Sequence, residues 1–200
     1  KDKIYLVSAW VFENTKINHN LRLRLHRWLI NFAKQNRCYF TIAHNLTLIA
    51  RIYPLLGHNK KAMESSLKSI EIWEKLNDEP LKLNGIIHNY INLISNYSQI
   101  GLDSLYPEYI SRAQILIDNE NDISIISKLR FYLVLGNLYF ELNQLKKSRE
   151  YYKNALKLAK PTKNINFLTP CNIGLGKILL SQNKVIEAIS ICNKALIKCK

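Results

Sequence analysis

The residues from Tyr132 to Pro161 decide the fold. They begin Tyr132-Leu-Val-Leu135-Gly136-Asn-Leu-Tyr139 and continue with Asn143, Ser148, Tyr152, Ala155 and Pro161. The same spacing returns forty residues later, in Leu175-Gly176, Leu179, Asn183, Ala188, Cys192 and Ala195. A small residue on one helix lets a second helix approach closely, and Asn143 or Asn183 suits a left-handed turn between the two. Each copy therefore encodes a pair of antiparallel helices.

The same pattern of spacing continues towards the start of the chain, but the residues match it less closely. The position of the small residue recurs at intervals of 41, 44, 42 and 40 residues, at Ala9, Ala50, Ile94, Gly136 and Gly176. Gly57 and Gly101 fill the turn position that Asn143 and Asn183 fill later. Five copies are enough to bury a continuous core.

This pattern resembles the tetratricopeptide repeat, in which W-x2-L-G-x2-Y is followed by a small residue, an aromatic residue, Ala and Pro. The resemblance implies an all-α fold, a right-handed superhelical solenoid of about five antiparallel helix pairs whose first helices line a concave groove. The period exceeds the family's usual ~34 residues and is similar to that of bacterial signalling and regulatory domains. We expect a single repeat domain over residues 1–200, cut from a longer chain, with copies at 1–36, 38–77, 80–119, 122–160 and 164–200.

The spacing also predicts individual helices and loops. Polar stretches separate the copies, Asp78 before Pro80 indicates a helix start, and the stretch from Lys160 to Asn164 is predicted as a loop. The predicted helices are 2–13, 18–36, 39–55, 59–76, 80–99, 103–118, 122–141, 144–160, 165–181 and 184–199.

The composition is that of a globular helical protein with excess positive charge. Apolar residues make up 48% and charged residues 22%, and 6 Gly and 5 Pro are too few for an all-β fold. No apolar run is long enough for a transmembrane helix. The net charge is +14, and residues 121–200 hold 14 basic but only 4 acidic side chains. This excess charge has two possible explanations. It could serve to bind an acidic partner, or it could result from the Lys preference of A/T-rich codons.

Motifs for catalysis are missing, so the sequence predicts no enzyme, no cofactor and no metal site. Gly174-Leu-Gly176-Lys177 resembles the end of a phosphate-binding loop, but Cys171 stands where an earlier Gly is needed and Ile178 where Ser or Thr is needed. The four Cys lack zinc spacing and are predicted to be small buried thiols in a reducing compartment, and the five His form no ligand pair.

The concave groove is the predicted binding site. Residues three or four apart on the first helices share a face, and Arg and Asn suit an extended peptide because they pair with carboxylates and amides. We expect anchors at Arg51, Asn92, Arg130 and Asn137. The alternative is an ordinary solvated face. The predicted groove residues are His44, Thr47, Arg51, His88, Asn92, Ser95, Arg130, Asn137 and Lys177.

A second candidate surface is a basic ridge on the second helix of the fourth copy. It is formed by Lys146, Arg149, Lys153 and Lys157, the last three at spacing i, i+4 and i+8. A phosphate backbone or an acidic domain would suit it; the alternative is a solvated Lys-rich face. The clamp for C-terminal carboxylates of chaperone-binding family members is not predicted, because Thr47, Arg51 and Val134 occupy slots that hold Lys, Asn and Arg in the family.

Together these features predict a cytoplasmic scaffold or sensor domain of a larger intracellular regulatory protein. Its partner is predicted to be a protein or peptide, or another domain of the same chain. A nucleic-acid-associated module using the basic ridge is the alternative from another class. Self-association through an uncapped last helix is a third reading.

Overall fold

A computed structural model describes residues 18–77 and 81–196, with side chains as far as Asn193. The chain divides into two compact units, residues 1–123 (unit 1) and 124–200 (unit 2), each described by itself. Within these described residues the secondary structure is entirely helical.

Unit 1 contains five α-helices and one turn of 3-10 helix in its described part. The 3-10 turn, Tyr53–Leu56, directly follows α2. The helices are α1 (His19–Gln35), α2 (Tyr39–Ile52), α3 (Asn59–Lys75), α4 (Lys82–Gln99) and α5 (Tyr106–Asn119).

The described part of unit 2 contains four α-helices, and each one packs against the next along the chain. They are α6 (Ile125–Glu141), α7 (Leu145–Thr162), α8 (Ile165–Ser181) and α9 (Val185–Leu196). The boundary between the two units falls after the second residue of the fourth predicted copy, 122–160.

The turns within the helix pairs follow the sequence pattern. Gly57 and Gly101 have φ of 75° and 72°, and Asn143 and Asn183 have φ of 55° and 58°. Gly and Asn adopt this left-handed conformation at low cost, and it turns the chain back after the first helix of each pair. All four predicted turn positions are confirmed.

Helix starts depend on local side-chain bonds. Ser124 caps α6 through Oγ, which accepts a 3.1 Å hydrogen bond from the Ser127 amide. Asn18 and Asn164 cap α1 and α8 in the same manner, with Oδ1 accepting from the amide two residues on. Such caps satisfy backbone donors that have no partner in the first turn.

Three predicted boundaries in the described part were wrong by more than two residues. The predicted helix 39–55 ends at Ile52, where the 3-10 turn begins, and two further helices begin later than predicted. The fifth and sixth predicted helices of this part, 103–118 and 122–141, begin at Tyr106 and Ile125. The start of the first lies next to Pro107 in its first turn, and that of the second follows the Ser124 cap. Pro161, predicted in a loop, lies in the last turn of α7, which ends at Lys163 with φ 52°. The predicted helix 2–13 and the predicted start at Asp78 lie outside the described residues.

The core of each unit lies between consecutive helices. In unit 1 a cluster of Ile, Leu and Ala side chains from α1, α2 and α3 surrounds Ile49 and Ile52. In unit 2 Leu129, Ala155, Ala159, Leu168 and Cys171 join α6, α7 and α8. Burying an aliphatic side chain fully contributes about 1.5–3 kcal/mol. Ala155 on α7 belongs to the same buried cluster as Leu168 and Cys171 on α8.

Candidate protein-interaction surfaces

The predicted groove residues lie on the first helices of the helix pairs, in both units. Unit 1 holds six of them, on α2 and α4, and these two helices contact each other directly. Unit 2 holds Arg130, Asn137 and Lys177, on α6 and α8, which also contact each other. The six in unit 1 are His44, Thr47, Arg51, His88, Asn92 and Ser95.

A groove residue must be exposed to contact a ligand, but two of the six are buried. Thr47 is 4% exposed and Asn92 is 6% exposed. Asn92 Nδ2 donates a 3.3 Å hydrogen bond to the Thr47 carbonyl, which joins α4 to α2. Their polar groups are thus engaged inside the protein, because the first helices approach closely enough to cover them.

Thr47 belongs to a buried polar network at the junction of α2, α3 and α4. Its Oγ1 accepts a 2.9 Å hydrogen bond from Asn89 Nδ2 and lies 2.9 Å from Ser69 Oγ. Trp73 Nε1 lies 3.4 Å from the same oxygen. The Trp73 ring packs on Gly85, where any Cβ would collide with it. Buried polar groups need such partners, so this network fixes the three helices together.

The other four residues of the unit 1 strip are half-buried. They are His44, Arg51, His88 and Ser95. The His44 ring lies parallel to Phe40, at a centroid distance of 6.2 Å and an interplanar angle of 2°. Burial, with a smaller contribution from the charge of His26, lowers the pKa of His44 to about 4. His44 is therefore a neutral hydrogen-bonding group near pH 7, and Arg51 supplies a positive charge on this face.

The first helices of unit 2 combine positive charge, an amide and apolar surface. Arg130 is half-buried, whereas Asn137 and Lys177 are exposed. Desolvation lowers the pKa of Arg130 to about 10, which leaves the guanidinium charged near neutral pH. Among the described residues no carboxylate pairs with it. Ile173, one turn before Lys177 on α8, is 44% exposed.

Tyr152 fixes the position of Asn137. Its hydroxyl donates a 2.6 Å hydrogen bond to Asn137 Oδ1, and burial raises the pKa of Tyr152 to about 12. A Cβ at Gly136 would lie 2.8 Å from the ring, and a Cβ at Gly174 would collide with it. In the sequence, Gly174 stands out only as part of the stretch that resembles a phosphate loop. A glycine inside a helix costs about 1 kcal/mol, and this cost was the available signal that a large side chain packs there.

Gly174 and Gly176 both lie inside α8, so the stretch that resembles a phosphate loop is helical. A Cβ at Gly176 would lie 2.8 Å from Cys192 Sγ on α9. This contact confirms the predicted close approach of the two helices of one copy. Cys171 is fully buried, and desolvation raises the pKa of its thiol to about 11.

The basic ridge is exposed at Lys146, Lys153 and Lys157 on α7. Arg149 differs from its three neighbours, because it is half-buried and its Nη2 donates a 2.6 Å hydrogen bond to Gln182 Oε1 at the end of α8. Arg149 thus connects two helices of unit 2, and the three lysines carry the solvent-facing charge. None of the lysines takes part in an ion pair with a described residue.

The chemistry that these surfaces offer is hydrogen bonding, charge and apolar contact. Within residues 18–77 and 81–196 no group of three or more His, Cys, Asp or Glu could hold a metal ion. Of the helices in the described part, none is both long and apolar enough to cross a membrane.

A cleft that the sequence analysis did not predict lies on unit 1, between α1, α2 and α3, with a volume of about 640 Å³. Arg27 and Lys34 on α1 and Lys61 and Lys68 on α3 line it. Each pair is seven residues apart, which is two helical turns. This spacing was visible in the sequence, but the distance between the two helices was not.

Comparison with known proteins agrees with the repeat pattern. Residues 129–162 match the family model described as tetratricopeptide repeat. The crystal structure of BtubC (BKLC) from P. vanneervenii is similar to the chain with a TM-score of 0.70 and 15% sequence identity, over 98% of this chain and 78% of that chain. No curated protein matches the chain.

These findings confirm an all-α helical-repeat fold, in which residues 129–162 match a tetratricopeptide repeat. The matched segment contains the stretch from Tyr132 to Pro161 on which the resemblance was based. Repeats of this type serve as protein–protein interaction scaffolds, and the match supports that general role for this chain.

Proposed function

We propose that this chain is a peptide-binding scaffold or sensor domain of a larger regulatory protein, with its ligand along the first helices of the repeats. The observation that carries the proposal is the face of α6 and α8 in unit 2. Arg130 and Asn137 lie on α6, the exposed Ile173 and Lys177 lie on α8, and these two helices contact each other. A charged guanidinium that no described carboxylate pairs with, an oriented amide and an apolar side chain are elements that can recognise a peptide segment.

Asn137 is the most specific element of this face. Its Oδ1 is occupied by the Tyr152 hydroxyl at 2.6 Å, so Nδ2 is the group that remains to bind a ligand. An amide held in one orientation donates to a peptide carbonyl without a large loss of side-chain entropy. Arg130 then recognises a carboxylate of the ligand, and Ile173 an apolar side chain.

Unit 1, taken by itself, has a face of the same kind. Arg51, His88 and Ser95 are half-buried on α2 and α4, and they offer a cation and two hydrogen-bonding groups. Thr47 and Asn92 are engaged in bonds between α2, α3 and α4. Their role in our proposal is to hold the first helices in register and not to contact the ligand.

A pull-down from native lysate treated with nuclease, read by mass spectrometry, tests this function. Three baits are compared: the wild-type chain, Arg51→Glu/Arg130→Glu, and Lys153→Glu/Lys157→Glu as the control with the same change of charge. We expect a defined set of partner proteins that is lost only with the first-helix variant. Partners lost only with the control variant would contradict the proposal.

The basic ridge supports a second candidate function, association with nucleic acid. Lys146, Lys153 and Lys157 are exposed on one side of α7 and have no ion-pair partner among the described residues. Phosphate contacts make the affinity fall steeply with added salt. If this function holds, binding of duplex DNA or RNA weakens steeply between low and high salt, is lost in Lys153→Glu/Lys157→Glu, and is unchanged in Arg51→Glu/Arg130→Glu.

A further inference from the structure

The cleft between α1, α2 and α3 carries an excess of positive charge at its rim. Arg27 and Lys34 lie on the α1 side, and Lys61 and Lys68 on the α3 side. All four side chains are exposed, and Glu64 is the one acidic residue among those that line the cleft. Like charges gathered around one concave surface repel one another and attract an anionic ligand.

These cations have no acidic partner within the described part of the chain. The ion pairs found there join Lys75 to Glu71, Arg112 to Glu108 and Lys184 to Glu187. Glu64, although it borders the cleft, forms none of them. No ion pair among the described residues therefore neutralises these four cations, and three positive charges remain in excess over Glu64.

The floor of the cleft is apolar. It is formed by Ile30 from α1 and by Leu46, Ile49 and Tyr53 from α2 and the 3-10 turn that follows. Leu46 is half-buried, and the other three belong to the core of unit 1. A ligand that reaches this floor needs an apolar side chain, because a polar group there would lose its water without gaining a partner.

The spacing of the cations fits a peptide. Arg27 and Lys34 are two helical turns apart, as are Lys61 and Lys68, which corresponds to about 10 Å along each helix. Carboxylates two turns apart on a helical ligand, or three residues apart on an extended one, repeat at a similar distance. The volume of about 640 Å³ is sufficient for a few side chains.

We propose that this cleft binds an acidic peptide segment of a partner protein, with Asp or Glu side chains on the four cations and an apolar side chain on the floor. Nucleic acid fits less well, because phosphates would engage the cations and leave the apolar floor without a matching group. A second copy of this chain also fits less well, since two chains of net charge +14 repel each other.

This site is separate from the first-helix face and does not depend on the function proposed above. On α2, the cleft residues Leu46 and Ile49 lie on nearly the opposite side of the helix from His44 and Arg51, because a helix turns by 100° per residue. The two surfaces can therefore be changed independently.

Fluorescence anisotropy with a defined probe tests the proposal. The probe is a labelled synthetic peptide of Glu-Glu-Leu blocks, titrated with the full chain. We expect saturable binding that is weakened by more than about tenfold in Lys61→Glu/Lys68→Glu and by less than about twofold in Lys153→Glu/Lys157→Glu, which reverses the same charge on α7. Replacing Leu by Ser in the probe keeps its charge and is also expected to weaken binding.

Several outcomes would overturn the proposal. One is a probe that does not bind, and another is binding that the Lys61→Glu/Lys68→Glu variant retains. Equal affinity for the Ser probe, or for single-stranded DNA of matched charge, would assign the cleft to anions in general or to nucleic acid. A doubling of the mass in light scattering that the same variant abolishes would assign it to self-association. Circular dichroism checks the fold of each variant, and the milder Lys68→Gln replaces the double variant if that one unfolds.

Discussion

The hydroxyl of Tyr152 on α7 donates a 2.6 Å hydrogen bond to Oδ1 of Asn137 on α6. The ring that carries this hydroxyl is enclosed by two helical glycines, Gly136 and Gly174. One buried side chain thus joins three helices of unit 2 and orients an amide on the face that we propose for peptide binding. Tyr152 therefore determines both how these helices pack and how Asn137 is presented at the surface.

The first prediction concerns Gly174. Replacing a helical glycine by alanine ordinarily stabilises a helix by about 1 kcal/mol. Here the new methyl group collides with the Tyr152 ring, and overpacking of this kind costs about 1–3 kcal/mol. We expect Gly174→Ala to lower the free energy of unfolding, measured by urea denaturation.

The control is a double-mutant cycle with Tyr152→Leu, whose smaller side chain leaves room for the methyl group. In that background Gly174→Ala is expected to be neutral or stabilising. A loss of equal size in both backgrounds would show that the ring is not the cause.

The second prediction concerns acid stability and His44. Its folded-state pKa of about 4 lies below the unfolded value of about 6.5, so the unfolded chain binds the proton first as the pH falls. Neutral His44 contributes fully to the free energy of unfolding above pH 6.5. As the pH falls from 6.5 to 4 this contribution is lost, which lowers the free energy of unfolding by up to about 3 kcal/mol.

The measurement is the free energy of unfolding of the wild type and of His44→Gln from pH 7 to pH 4. The wild type is expected to lose more stability than the variant over this range, because glutamine does not titrate. Parallel curves for the two proteins would contradict a lowered pKa at His44.

The third prediction separates the buried from the accessible residues of the predicted groove. Thr47→Val keeps the shape of the side chain but removes the oxygen that Asn89 Nδ2 and Ser69 Oγ contact at 2.9 Å. A buried polar group that loses its partner costs about 1–3 kcal/mol. Ser95→Ala on α4 changes a half-buried hydroxyl and is expected to cost less than about 0.5 kcal/mol. Equal effects of the two substitutions on thermal unfolding would argue against the network.

The fourth prediction concerns cysteine reactivity. Cys171 is fully buried, its thiol pKa is raised to about 11, and alkylation requires an accessible thiolate. Under native conditions at mildly alkaline pH, peptide mapping after iodoacetamide treatment is expected to show Cys171 unmodified while the half-buried Cys38 reacts. In urea both should react. Rapid native labelling of Cys171 would contradict its burial.

Much of the fold could be predicted from the sequence because local rules decide it. The left-handed turns at Gly57, Gly101, Asn143 and Asn183 require residues that tolerate positive φ, and these are visible at a fixed spacing. Helix boundaries were less predictable where a cap and not the periodicity decides them, as at Ser124.

The candidate site could be predicted only in part, because exposure depends on how closely helices approach. Thr47 and Arg51 share a helix face, yet α3 and α4 cover Thr47 and leave Arg51 half-buried. The cleft could not be predicted for the same reason, because its cations on α1 and α3 lie more than 25 residues apart in sequence. Arg149 shares the spacing of the basic ridge but bonds to Gln182, a partner 33 residues away.

The most direct test of the account is the affinity of the first-helix face of unit 2 for a peptide. A peptide selected from a random display library on the full chain is titrated by calorimetry into the wild type, Arg130→Gln/Lys177→Gln and the control Lys153→Gln/Lys157→Gln. We expect the dissociation constant to rise by more than about tenfold in the first variant and by less than about twofold in the control. Equal affinity for wild type and Arg130→Gln/Lys177→Gln would contradict it.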